Sequence, residues 1–160
     1  MTTQRKVLLV EDNDDTRRLY SIVLRYHGFQ VQEAVTGVEA VRMVRESVPD
    51  LVLMDLALPV MDGWEAARRI KADPAIRHVP VIAFSALIDC TADLRADAST
   101  FDGFIAKPVS PSELVVRVER FLELAAAPMR TAAELAAEAP LDLVGADAPP
   151  VDPSVPLTNG

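Results

Sequence analysis

Five polar residues stand directly behind short apolar runs at widely separated places in the chain. Glu11 and Asp12 follow Val7-Leu8-Leu9-Val10, and Asp55 follows Leu51-Val52-Leu53-Met54. Ser85 follows Val79-Pro80-Val81-Ile82-Ala83-Phe84, and Lys107 follows Gly103-Phe104-Ile105-Ala106. Carboxylates held a few ångströms apart repel, which raises their pKa values unless a cation neutralises them. Mg²⁺ suits one or two carboxylates together with phosphate oxygens and retained waters. A lysine adds a point charge suited to a phosphoryl group, and a serine hydroxyl can donate to one of its oxygens. Gathered in one place, these residues would form an aspartyl phosphate with a carboxylate as nucleophile. Metal and ammonium would stabilise charge on the transferring group. Any one of these residues could be polar only because loops are polar; all four run ends together, closed by a lysine, point to chemistry.

The elements that must position these groups alternate along the chain. Continuous apolar runs suit strands buried on both faces, and Gln30–Val35 and Gly103–Ala106 are two weaker candidates of the same kind. Between them lie helix-period segments. Leu19, Ile22, Val23 and Tyr26 recur at helical spacing and share one face, as do Val38, Val41 and Val44. Thr36…Glu39, Asp62…Glu65 and Ser110…Glu113 each set a capping side chain three residues before a Glu, and Pro111 suits a first helical position. Gly28 fits the residue just past the end of the first helix. A fourth helix is expected within Asp89–Ser99, with a thin apolar stripe of Leu94 and Ala98. Five such units imply a parallel sheet covered by helices on both faces. Ligands in open sheets of that kind sit beyond the carboxyl ends of the strands.

Composition narrows the function. A chain of 160 residues is about one domain. A net charge of -8 argues against nucleic acid as a direct partner. No apolar run reaches the ~20 residues of a membrane span, so no membrane insertion is expected. The start lacks the pattern of a signal peptide. The single Cys90 rules out a disulfide framework and a cysteine-built zinc site, so a cytoplasmic setting is the expectation. Residues 126–160 hold six of the twelve prolines, one basic residue (Arg130), five acids and no aromatic residue. Such a segment cannot bury enough apolar surface to offset its ordering entropy, so a disordered tail is expected there.

Taken with their spacing, these residues resemble the receiver domain of bacterial two-component response regulators. The resemblance rests on Glu11-Asp12, Asp55 with Pro59 and Asp62-Gly63, Ser85-Ala86, and Phe104-Ile105-Ala106-Lys107-Pro108. The intervals of 30 residues from Asp55 to Ser85 and 22 from Ser85 to Lys107 match the family's. It implies an α/β, flavodoxin-like (βα)5 fold: a doubly wound parallel five-stranded sheet of order 2-1-3-4-5. A receiver domain would span residues 4–125, with the tail at 126–160. Asp55 would be the phosphoacceptor, served by a sensor histidine kinase or histidine phosphotransfer protein. Glu11, Asp12, Asp55 and the backbone carbonyl of Ala57 would hold Mg²⁺, for which Mn²⁺ could substitute. Lys107 would pair with the phosphoryl group across a cis bond to Pro108, Ser85 would swing toward the phosphate, and Phe104 would turn inward. Output would then pass through the face of the fourth helix, fifth strand and fifth helix, through which members often pair as homodimers, to a downstream protein target. With no room for an output domain, such a chain would act by binding another protein or by relaying phosphate, and not as an enzyme.

Two features depart from the family. Ala57 and Leu87 are apolar where the family's side chains border the hydrolytic water, which implies slow self-dephosphorylation. Near Thr100 the family generally has a glycine. Two other readings stand beside the regulator. A phosphohydrolase would want an acid at position 57, and a domain that no longer takes phosphate would not need Asp12, Asp55, Ser85 and Lys107 together.

Overall fold

A computed structural model describes residues 3–86 and 100–126. Five strands, β1 (Lys6–Val10), β2 (Gln30–Ala34), β3 (Leu51–Met54), β4 (Val81–Ser85) and β5 (Gly103–Ala106), form one sheet of order β2-β1-β3-β4-β5. Every pairing is parallel. Among the described residues four helices accompany them: α1 (Asp14–Tyr26), α2 (Gly37–Ser47), α3 (Gly63–Ala72) and α4 (Pro111–Ala126). The parallel sheet is what the alternation of elements implies, and its order is that of the doubly wound, flavodoxin-like fold implied by the resemblance. The helix expected within 89–99, Leu87, Cys90 and the tail beyond Ala126 lie outside the described residues.

Alternation along each strand builds two cores. Leu8, Val10, Val52, Met54, Val81 and Ala83 face the layer of α2 and α3, where they meet Ala40, Val44, Ala66 and Ile70. Val7, Leu9, Leu51, Leu53, Ile82, Phe84 and Ile105 face the layer of α1 and α4, against Tyr20, Leu24, Leu114 and Val118. Each fully buried aliphatic or Phe side chain contributes roughly 1.5–3 kcal/mol. Successive side chains of a strand point to opposite faces, so a continuous apolar run is what a sheet covered on both sides requires.

The helix starts follow the capping pattern. Glu39, Glu65 and Glu113 donate their backbone N–H to Thr36 Oγ1, Asp62 Oδ1 and Ser110 Oγ at 3.1, 2.9 and 3.2 Å. At the end of α1, Gly28 (φ 91°) donates to the Arg25 carbonyl at 3.0 Å and Phe29 to the Leu24 carbonyl at 3.1 Å. That pair of bonds is a Schellman motif, with Leu24 and Phe29 sharing the core cluster beneath it.

Two local expectations change. Of the Leu19, Ile22, Val23, Tyr26 face only Val23 packs against the core: Leu19, Ile22 and Tyr26 are 54, 59 and 85% exposed, while Tyr20, Ser21 and Leu24 are buried. The inner face is set by Tyr20, whose ring meets Phe84 edge-on at 4.9 Å between centroids. Strand β4 begins at Val81, one residue past Pro80, and takes in Ser85. Pro80 has no N–H to give a ladder, whereas the Ser85 carbonyl accepts from Lys107 N–H at 3.0 Å.

At the β2 edge, Arg25 of α1 donates from Nη2 to the Val31 carbonyl at 3.2 Å. The N–H of Gln30 and the carbonyl of Ala34 point inward to Arg5 and Glu11, so Val31 points outward.

Candidate functional site

The carboxyl ends of β1, β3 and β5 bring four charged groups together. The Asp55 N–H donates to the Val10 carbonyl at 3.0 Å, which sets the end of β3 beside the end of β1. Carboxylate oxygens of Glu11, Asp12 and Asp55 all lie within 4.8 Å of one another. Glu11 and Asp55 are buried, and Asp12 is exposed at the mouth. From β5, the Lys107 ammonium donates to Glu11 Oε2 and, at 3.3 Å, to Asp55 Oδ2. It also stands 5.1 Å from the centroid of the Phe84 ring, within the range of a cation–π attraction. The Lys107–Pro108 peptide is cis.

The two buried acids are each held individually. Asp55 Oδ1 accepts from the Ala57 N–H at 3.1 Å. Glu11 donates its N–H to the Ala34 carbonyl at 3.0 Å, and its Oε1 accepts from the Asn13 N–H at 3.3 Å. Burial pushes the Glu11 carboxyl above the ordinary range; the Lys107 hydrogen bond works against that, and the Asp55 charge adds to it. Among the described residues two buried carboxylates therefore draw on one ammonium, with a third acid beside them. Such a donor set is all oxygen and short of positive charge, which fits a hard divalent cation.

The loop after Asp55 is packed from behind by α3. Gly63 donates its N–H to the Leu56 carbonyl at 3.0 Å. A Cβ at Gly63 would lie 2.1 Å from the Asp55 carbonyl oxygen. Within this loop Val60 has φ 67° and is 92% exposed, with the Met61 N–H donating to the Pro59 carbonyl at 2.7 Å.

Of the residues singled out in the sequence, Glu11, Asp12, Asp55 and Lys107 converge. Ser85 ends the neighbouring strand, 1% exposed and paired in register with Ala106, one residue before Lys107. Ala57 is exposed and serves the cluster through its N–H. Phe104 is half-buried against the core of α2 and α3. Trp64 is half-buried on α3, edge-on to Phe101 at 5.0 Å. His27 and His78 are exposed and outside the group.

Sequence reasoning missed three contributors. Arg17 donates to the Glu11 carbonyl at 3.0 Å; Gly63 backs Asp55; Phe84 lies beside Lys107. Gly63 was visible as the residue after a capping Asp, but nothing in a pattern of spacing says which backbone it must approach.

The response regulator receiver domain model matches residues 7–119. The chain belongs to the receiver domain family. It is 31% identical over 118 residues to the polar-differentiation response regulator DivK of Brucella ovis, covering 74% of this chain and 96% of DivK. A receiver domain of a sensor histidine kinase from Pseudomonas aeruginosa PAO1, solved with magnesium coordinated in its active-site cleft, is 33% identical. It superposes with TM-score 0.68 over 75% of this chain and 98% of that one. The chemotaxis response regulator CheY4 of Vibrio cholerae gives TM-score 0.68 at 25% identity, over 74% of this chain and 98% of its own. Receiver domains are signalling modules whose general function is to accept a phosphoryl group in two-component systems. Among the described residues no helix is long and apolar enough to cross a membrane.

Proposed function

We propose that this receiver accepts a phosphoryl group on Asp55 from a histidine kinase or histidine phosphotransfer protein. In the step, an Asp55 carboxylate oxygen forms the O–P bond. The P–N bond of the donor phosphohistidine breaks, and its electron pair leaves on the imidazole. The observation that carries this reading is the Lys107 ammonium bridging Glu11 and Asp55 inside a cluster of three acids. Glu11, Asp12, Asp55 and the Ala57 carbonyl would hold Mg²⁺, with Mn²⁺ as a substitute. When bound, the ion supplies positive charge against the transferring phosphoryl oxygens.

The chain's own residues do the rest. The Ala57 N–H orients the acceptor carboxylate, and Lys107 offers its ammonium to the incoming oxygens. Ser85 follows with its hydroxyl, and Phe104 moves in its wake; a modification shifts a two-state equilibrium only by its differential affinity for the two states. The exposed Leu19, Ile22 and Tyr26 of α1, in the helix that begins beside Asp12, suit the apolar helices of a phosphodonor. Residues 4–125 would form the receiver, consistent with a compact unit ending at Ala126, and residues 126–160 the tail. Signalling would proceed through the face that includes β5 and α4, either by protein binding, with homodimer formation through the same face, or by onward relay of phosphate. Position 57 offers no acid for turnover, which supports a regulator over a phosphohydrolase.

The test is incubation with acetyl phosphate and Mg²⁺, or with beryllofluoride and Mg²⁺, read by intact mass and by Trp64 fluorescence. The wild type gains one phosphoryl group and Asp55→Asn gains none. An unmodified wild type, or equal labelling of Asp55→Asn, overturns the assignment.

A further inference from the structure

We propose that Arg17 is a positioning residue for metal binding: its guanidinium fixes the peptide joining Glu11 to Asp12 and thereby sets how the two carboxylates face one cation. This rests on the reading of those acids given above. Arg17 Nη1 donates to the Glu11 carbonyl at 3.0 Å and Nη2 to Asp14 Oδ1 at 2.5 Å, while Nε lies 3.6 Å from Glu33 Oε1. The acceptors come from three places: the loop after β1, the first turn of α1, and β2. The Arg17 side chain is only 18% exposed.

The Glu11 carbonyl and the Asp12 N–H belong to one planar unit. Holding that carbonyl therefore holds the plane, and with it the directions in which both side chains leave the backbone. Glu11 has further anchors in the Ala34 carbonyl, the Asn13 N–H and Lys107. Asp12 is exposed, and among the described residues its side chain has no hydrogen bond of its own. Its placement depends on the backbone it hangs from. Lys107 must share the acids with any arriving cation, so the Arg17 contact is one of the few fixed points that a bound ion leaves untouched.

Charge and geometry make opposite predictions here. A cation beside an acid cluster weakens the binding of another cation, so by charge alone Arg17→Met would tighten Mg²⁺. If Arg17 sets the geometry, the same variant loosens it. Residues that orient metal ligands typically account for about 10–100-fold in affinity. Lysine keeps the charge but has a single ammonium on a flexible stem and cannot reproduce a planar fork.

The experiment is calorimetric titration of the full chain with Mg²⁺, comparing wild type, Arg17→Met, Arg17→Lys, Glu33→Gln and Asp12→Asn, with a urea transition confirming that each variant is folded. Arg17→Met and Arg17→Lys should each lose about tenfold or more in affinity. At about 1 M KCl, screening shortens charge effects to about 3 Å. There Glu33→Gln, which removes one anchor of the guanidinium and stays informative where the arginine variants fail to fold, should still bind Mg²⁺ more weakly than the wild type, and equal affinity overturns the inference. Wild-type or tighter affinity in Arg17→Met, or full recovery in Arg17→Lys, overturns the inference while Asp12→Asn still shows the acids at work. Undiminished binding by Asp12→Asn, or none by the wild type, overturns the reading of the acids and this inference with it.

Discussion

Substituting Gly63 by alanine should damage the acceptor site through contact with backbone alone. The new Cβ would lie 2.1 Å from the Asp55 carbonyl oxygen and 2.9 Å from both the Asp55 carbonyl carbon and the Leu56 Cα. Ordinary contact begins near 3.4 Å, so the oxygen must retreat by about 1.3 Å. No side-chain rotation can relieve that, because all three obstructing atoms are main chain. The Gly63 φ is not positive, and alanine at a helical position gains up to about 1 kcal/mol of propensity. Against this stand about 1–3 kcal/mol for overpacking and about 1 kcal/mol for straining the Gly63 N–H bond to the Leu56 carbonyl. The net is a loss of about 2 kcal/mol. A displacement of about 1 Å at a reacting group costs about 100-fold in rate, and the same should hold for labelling of Asp55 by acetyl phosphate. Urea denaturation gives the first quantity and time-resolved intact mass the second. Gly28→Ala is the control: its φ of 91° should cost about 1–2 kcal/mol, but open space surrounds its Cβ, so labelling is unaffected. A Gly63→Ala protein with wild-type stability and a labelling rate within about twofold would refute the reasoning.

Three further outcomes follow from the geometry. Val60→Gly should stabilise the protein by about 1 kcal/mol in urea, since a β-branched residue at φ 67° stores about 1–3 kcal/mol and glycine's extra unfolded-state entropy offsets part of the relief. Because Glu11 is raised above 4.5 by burial, the folded state holds its proton more tightly than the unfolded chain. Its stabilising contribution is therefore full below pH 4.5 and is lost as pH rises through the raised value. Glu65 and Asp73 are lowered, so their contributions fade at more acid pH and leave that window to Glu11. Urea midpoints measured across pH should show the decline in wild type and a flatter profile in Glu11→Gln; matching profiles would count against it. Ile22→Glu should reduce phosphotransfer from a histidine kinase that labels the wild type by about tenfold, as a charge set into an apolar contact costs at least about 1.4 kcal/mol. Labelling by acetyl phosphate should stay unchanged, and equal losses with both donors would remove α1 from the docking surface.

A helix-covered parallel sheet, and the residues at its ligand-bearing edge, could be read from the sequence because both follow from short-range patterns; the order of the strands came only with the family resemblance. Runs such as Leu51–Met54 have one stable use, as strands covered on both faces, and the residue behind each run must sit at the ligand-bearing edge. The capping side chains Thr36, Asp62 and Ser110 act within three residues, so they too were legible. What failed depends on partners far along the chain. The spacing of Leu19, Ile22 and Tyr26 reports a helix, yet Tyr20 and Leu24 win the interior because Phe84 and the strand core supply matching surface. Lys107 reads as a phosphate ligand from its type, whereas its ties to Glu11 and Asp55 depend on the end of β5 lying over two other strands. Arg17 gave no signal at all, since an arginine at the start of a helix is usually a solvated surface charge.

The contact between Arg25 and the Val31 carbonyl bears on how these molecules behave when crowded. A sheet that stops at β2 leaves an open margin onto which a neighbour's extended segment could zip. By leaning a guanidinium over that margin, the protein occupies an acceptor that a stray strand would need and plants a positive charge in its path. Stacking of one copy on another is discouraged at the very border where the architecture alone would invite it.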